Sequence, residues 1–190
     1  MADLNERDAK LVQYLSEAYG KEKELETSLE AHIAMTTKAP YRNRLKAHLK
    51  ETKAHAKALE RRIKNLGGGG QLTQTAVGKA MAMAKGPLHM VRGSGEQEKM
   101  LKNAKTEYFN EHEEIATYLA IEILAEKVGD RETAKLAKGI RREEERMAKF
   151  LEGQIKSLTG AVVTEEVPRA QRRRPAKAKR ARKPVPSSRR

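Results

Sequence analysis

Apolar residues recur along this chain at intervals of three and four, the spacing that lines one face of an α-helix. Residues 5 to 35 set Leu11, Leu15, Ala18, Glu22, Leu25, Leu29 and Ile33 in such a stripe, with Lys and Glu filling the other positions. Pro40 breaks the pattern, and from Tyr41 a second stripe runs through Leu45, Leu49, Thr52, Ala56, Leu59, Ile63 and Leu66 until the four glycines at 67 to 70 stop it. A third runs from about Gln97 to Val128 with Leu101, Ala104, Tyr108, Glu111, Ile115 and Leu119. After Gly129-Asp130 a fourth carries Leu136, Ile140, Glu143, Met147 and Phe150. Between the second and third, the small-residue, Met-containing piece TAVGKAMAMAKGPLHMV reads as a short connecting helix that ends at Gly86 and Pro87.

The pattern predicts two helical hairpins, and the halves superimpose in sequence. Tyr19-x-x-Glu22 matches Tyr108-x-x-Glu111 at an offset of 89, and with a slightly longer loop Glu51 matches Glu143. Short, long and short connections suit an antiparallel bundle with one crossover, the ferritin-like arrangement, with a pair of long coiled-coil hairpins as the plainer alternative. The expected organisation is an all-α, ferritin-like four-helix bundle over residues 5–160, with a connecting helix, followed by a basic tail over 161–190.

Composition agrees with helices. Aromatics are 4% of residues and tryptophan is absent, while Ala, Glu, Lys, Leu and Arg dominate. No cysteine is present, which excludes disulfides, thiolate metal sites and a cysteine nucleophile; any metal would be held by oxygen and imidazole. No apolar run reaches the roughly 18 residues needed to span a bilayer, and the N-terminus lacks a signal-peptide core, so a cytoplasmic protein without membrane partners is expected.

The chemistry is in the interruptions of the stripes. Glu22, Glu111 and Glu143 stand where apolar residues are expected, and a half-buried carboxylate is costly unless something compensates it. A metal dication shared among such groups is one compensation. Bundles that hold two iron or manganese ions place an inward carboxylate on each of two helices and a carboxylate with a His one turn away on the other two. Here the second helix supplies HLKETKAH, in which His48, Glu51 and His55 share one flank, although Glu51 sits off the apolar stripe. Ligation and a solvated face both remain open for these three. On the third helix Glu111 and Glu114 are one turn apart; on the fourth, Glu143 faces inward better than Glu144 or Glu145 on a helical wheel, and no His follows. Tyr19 and Tyr108 lie on the same faces, as core packing or as partners of the ligands. His112 reads as a capping or packing residue, and His89 sits in the connector.

Through LVQYLSEAYGKEKELETSLE, HLKETKAHAKALE, EHEEIATYLA and REEERMAKFL the chain resembles the YciF/YciE-type ferritin-like stress proteins, related in fold to rubrerythrin, over roughly residues 8 to 160. The resemblance implies a four-helix core, a homodimer, and a carboxylate and histidine site for two irons drawn from Glu22, His48 or His55, Glu51, Glu111, Glu114 and Glu143 or Glu144. His55, the missing His on the fourth helix and the basic tail depart from that pattern.

Charge is concentrated at the end. Of the net +14, residues 168 to 190 contribute eleven cations and no acid, leaving +3 for the rest. These cations are Arg169, Arg172, Arg173, Arg174, Lys177, Lys179, Arg180, Arg182, Lys183, Arg189 and Arg190. With several prolines and little apolar surface, the segment is expected to be disordered when unbound and to bind nucleic acid through its phosphates, without reading bases. Joined to a di-iron or manganese bundle it predicts a nucleoid-associated protein that limits iron or peroxide damage. The competing expectation is a noncatalytic nucleoid- or ribosome-associated helical protein without a metal site.

Overall fold

The computed structural model of the chain describes residues 4–68 and 95–172; the expected connecting helix and the tail from Arg173 onward lie outside the described residues. Four long helices account for nearly all of what is described: α1 (Glu6–Met35), α2 (Ala39–Asn65), α3 (Glu96–Lys127) and α4 (Arg131–Glu166), followed by a 3-10 turn at Arg169–Gln171. Among the described residues there is no strand, and no helix is long and apolar enough to cross a membrane.

The helix ends follow local chemistry. The Asn5 side chain accepts from the Asp8 N–H at 2.9 Å to open α1, and Asp130 accepts from the Thr133 N–H at 3.0 Å to open α4. Pro40 lies inside the first turn of α2, where its missing N–H costs nothing, so this helix starts at Ala39 and not at Tyr41. Gly129, at φ +75, reverses the chain between α3 and α4 in a conformation that other residues rarely adopt. The fourth helix continues to Glu166, beyond the boundary expected at 160, and Arg172 folds back to donate to the carbonyls of Val167 and Thr164 at 2.7 and 2.5 Å. Those carbonyls are the unpaired acceptors of a helix C-terminus, which explains why a basic residue settles there.

α1 packs along α2 and α3 along α4 as two hairpins, joined by the contacts of α1 with α3 and of α2 with α4. The core is divided. Leu11, Leu15, Leu59, Ile63, Ile121 and Ile140 fill one part, and Leu29, Leu45, Met100, Met147, Leu151 and Leu158 fill the other. Between them in each helix comes a buried polar set: Glu22, His48, Thr52, His55, Glu111, Glu114 and Glu144. Each Leu or Ile taken fully from water contributes about 2 kcal/mol, whereas an uncompensated buried carboxylate costs several kcal/mol. The apolar layers can carry the polar belt, but only if its charges are compensated.

A buried carboxylate and histidine centre

Each helix brings at least one ionisable side chain to the belt. Glu22 from α1, Glu111 and Glu114 from α3, and Glu144 from α4 are between 1 and 3% exposed, and His48 and His55 from α2 are 1 and 5% exposed. The two histidines are seven residues apart, two turns, so both reach the same side of α2 about 10 Å from one another along its axis. Thr52 between them returns its hydroxyl to the His48 carbonyl at 3.1 Å.

The ligating atoms fall into two groups that share a member. Glu22, His55 and Glu144 form one; His48, Glu111 and Glu144 form the other, and within each group the candidate atoms lie within 4.8 Å of one another. His55 Nδ1 is 3.0 Å from Glu144 Oε1 and 3.4 Å from Glu22 Oε1. His48 Nε2 is 3.0 Å from Glu111 Oε1 and 3.7 Å from Glu144 Oε2. Glu144 therefore addresses one group with each oxygen. Glu114 belongs to neither group, yet it feels the charges of Glu22, Glu144 and Glu111 together.

The remaining nitrogen of each imidazole is held from outside the cluster. His48 Nδ1 pairs with Glu51 at 3.1 Å, which Arg44 steadies at 2.9 Å, and His55 Nε2 pairs with Glu143 at 2.9 Å. A carboxylate on the far nitrogen fixes ring orientation and tautomer and raises the basicity of the near one, as around many metal-ligating histidines. The structure thus separates the sequence candidates. Glu22, His48, His55, Glu111, Glu114 and Glu144 converge; Glu51 and Glu143 stand behind the histidines with side chains 32 and 37% exposed. The inward residue of the RREEERM run is Glu144 and not Glu143, a reversal of the helical-wheel expectation. The wheel averages over one helix, and the direction of the neighbours decides between adjacent positions.

Tyr118 is the residue the sequence did not single out. Fully buried, it donates its hydroxyl to Glu22 Oε1 across the bundle. Its spacing of four from Glu114 and seven from Glu111 was the available signal. Tyr19 and Tyr108 instead pack on the two apolar parts of the core, and exposed His112 stands nearly perpendicular to the Tyr108 ring with centroids 4.4 Å apart. His89 lies outside the described residues, as do the tail cations except Arg169 and Arg172.

Electrostatics reflect crowding of like charge in a dry interior. Burial pushes the Glu22 carboxyl up, and pushes Glu114 up further because Glu22, Glu144 and Glu111 repel its charge. Burial also raises Glu111, to about 8. For the histidines burial opposes the charged form, but the bonds of His48 to Glu111 and Glu51, and the contacts of His55 with Glu144 and Glu22, outweigh it and raise them to about 10 and about 11. For Glu144 burial pushes upward, yet His55 and His48 prevail and hold it below the usual carboxylate range. The hydrogen bond from His48 brings Glu51 down to about 2.

The donor set suits a metal ion. Glu22 Oε2, Glu111 Oε2, Glu114 Oε1 and Glu144 Oε2 are buried and without a hydrogen-bond partner, although such atoms normally have one. Unpaired carboxylate oxygens from α1, α3 and α4 beside two histidines of α2 make a donor set that suits a cation. Carboxylate with imidazole suits iron, manganese or zinc.

The family model described as "Domain of unknown function (DUF892)" matches residues 6–164. Among solved structures, a Xanthomonas campestris protein is similar with a TM-score of 0.68 and 24% identity, covering 85% of this chain and 99% of that one. YcfI from Rhodopseudomonas palustris, titled a putative structural protein, gives 0.64 and 20% identity over 80% of this chain and 96% of its own. The Escherichia coli stress protein YciF gives 0.62 and 20% identity over 84% and 99%. No curated protein matches the chain at a significant level.

Proposed function

Because this chain belongs to the DUF892 family and carries the family fold with a buried histidine and carboxylate centre, we propose that it is a di-metal stress-response protein. Two iron or manganese ions bind between the four helices, and the centre consumes ferrous iron or peroxide. The likeness to a stress protein of the same fold supports the setting; the observation that carries the reading is Glu144, whose two oxygens face two separate groups that end in unpaired atoms.

In this reading Glu22, His55 and Glu144 would hold one ion and His48, Glu111 and Glu144 the other, with Glu114 as a further carboxylate of the site. Bound metal supplies the capacity to exchange electrons with oxygen or peroxide. The chain's own residues do the rest. Glu51 and Glu143 keep each imidazole turned with a lone pair inward, Tyr118 fixes Glu22, and the apolar layers keep bulk water out. The basic tail, with eleven cations over residues 168–190, holds the protein near nucleic acid by neutralising phosphates. A homodimer is supported by Phe109, Leu119 and Ile123, which are 69, 43 and 47% exposed on one face of α3. An antiparallel second copy centred on Ala116 would set Phe109 against Ile123 of its neighbour.

The second reading, a helical nucleic-acid-binding protein without metal, is favoured by the raised pKa values of His48 and His55, since two imidazolium groups offset part of the carboxylate charge. One experiment separates the two. Protein purified without chelator and reloaded anaerobically with ferrous iron is expected to hold about two ions per chain and to oxidise them on admission of air. Glu144→Ala is expected to lose both ions. Wild-type protein with no stoichiometric metal would leave the second reading standing.

A further inference from the structure

A groove of about 640 Å³ runs between α2 and α4 and ends at His55 and Glu143, on the outer side of the buried centre. Small residues create it. Ala54 and Ala58 face Gly139, where an added Cβ would meet nothing within 4 Å, and Leu136 and Ile140 give it an apolar wall. Its volume is that of a small-molecule site, which typically spans roughly 300 to 1,000 Å³.

The two ends differ in charge. At the far end stand Arg61 and Lys135, which form no ion pair among the described residues, beside Asn65. The one acid there, Glu132, is already taken up by Arg62 at 2.6 Å. At the near end the Glu143 carboxylate accepts from His55 and is 37% exposed. Two uncompensated cations over an apolar wall attract an anion, and Glu143 repels one, so charge complementarity also sets the orientation.

We infer that this groove binds a small organic anion, its charged head at Arg61 and Lys135, its apolar body along Leu136 and Ile140, and a neutral hydrogen-bonding end at Glu143. Arg61 and His55 are six residues apart, so the ligand spans about 9 Å along α2. A free metal cation is the wrong sign for this mouth. The inference rests on the di-metal reading only for what the near end meets; the binding itself follows from the groove.

The test is fluorescence titration of the full chain with 8-anilinonaphthalene-1-sulfonate, beside the neutral N-phenyl-1-naphthylamine, with metal content measured on every sample. One saturable site is expected, weakened about tenfold by the Arg61→Glu, Lys135→Glu pair, the scale of one or two charge-assisted contacts. Gly139→Leu, which fills the groove at an exposed helical position, is expected to abolish it, and all variants should keep the wild-type metal content. Absence of a saturable site, equal affinity for the neutral probe, or indifference to both variants would overturn the inference. Sulfonate binding that follows the variants in protein holding no metal would uphold the groove and sink the di-metal reading.

Discussion

At the scale of single residues, the hydroxyl of Tyr118 shows how the buried centre is held in shape. It donates to Glu22 Oε1, the oxygen that His55 Nδ1 also approaches at 3.4 Å, while the other Glu22 oxygen has no partner. Tyr118→Phe keeps the ring and removes the donor. Hydrogen bonds to charged groups contribute roughly 1.5–3 kcal/mol, so metal-free stability in urea is expected to fall by about that amount, while metal-loaded protein should fall less because the ion takes over the carboxylate. The same residues set a pH dependence. Glu111 and both histidines have folded values raised above their unfolded ones, to about 8, 10 and 11. Their contribution is complete below the unfolded values and is lost as pH rises through the folded ones, because the native state keeps protons that the unfolded chain releases. Glu51, lowered to about 2, acts in the opposite sense and only under acid conditions. Calorimetry should therefore show the metal-free melting temperature falling between about pH 5 and pH 9. Metal needs the deprotonated ligands, so the stabilisation from added metal should grow over that interval.

At the scale of helices, ends and faces explain both what could be read from the chain and what could not. The start of α4 gathers Asp130, Thr133 and Arg62: Asp130 caps the helix and takes the Arg62 guanidinium at 2.6 Å. Asp130→Ala removes a cap and leaves a partly buried arginine short of an acceptor. A cap alone is worth roughly 0.5–2 kcal/mol, and the loss should appear in the denaturation midpoint at the upper end of that range. The four helices and their turns were legible because the stripes are long and Pro40, Gly67 and Gly129 mark their ends. So were Glu22 and Glu111, polar residues where the period demands apolar ones. His48 and His55 were visible as a pair, but whether they turned inward was not, because that depends on which flank of α2 meets α1 and α4. The choice of Glu144 over Glu143, and the reach of Tyr118 to Glu22, are contacts between helices far apart in sequence. No period along one helix encodes them.

At the scale of the whole molecule, a four-helix bundle of modest charge carries a strongly cationic extension. If the tail acts on phosphates, removing residues 173–190 should lower duplex-DNA affinity without changing the metal content. Six engaged phosphates would give a log-log salt dependence with a slope of about −5 in the full chain, measurable by fluorescence anisotropy across salt, and a slope near zero after truncation. Equal slopes would place the nucleic-acid contacts elsewhere. The divided core has a consequence of its own. A bundle with a polar belt across it does not open uniformly: the amides around Glu22, Thr52, Glu111 and Glu144 sit where apolar packing is interrupted, and those beside Leu11 and Ile63 where it is continuous. Hydrogen exchange of the metal-free protein should find its fastest helical amides at mid-length and not at the frayed tips alone. Metal should slow that central band selectively, so that the ion acts as the keystone of a structure whose two abutments already stand.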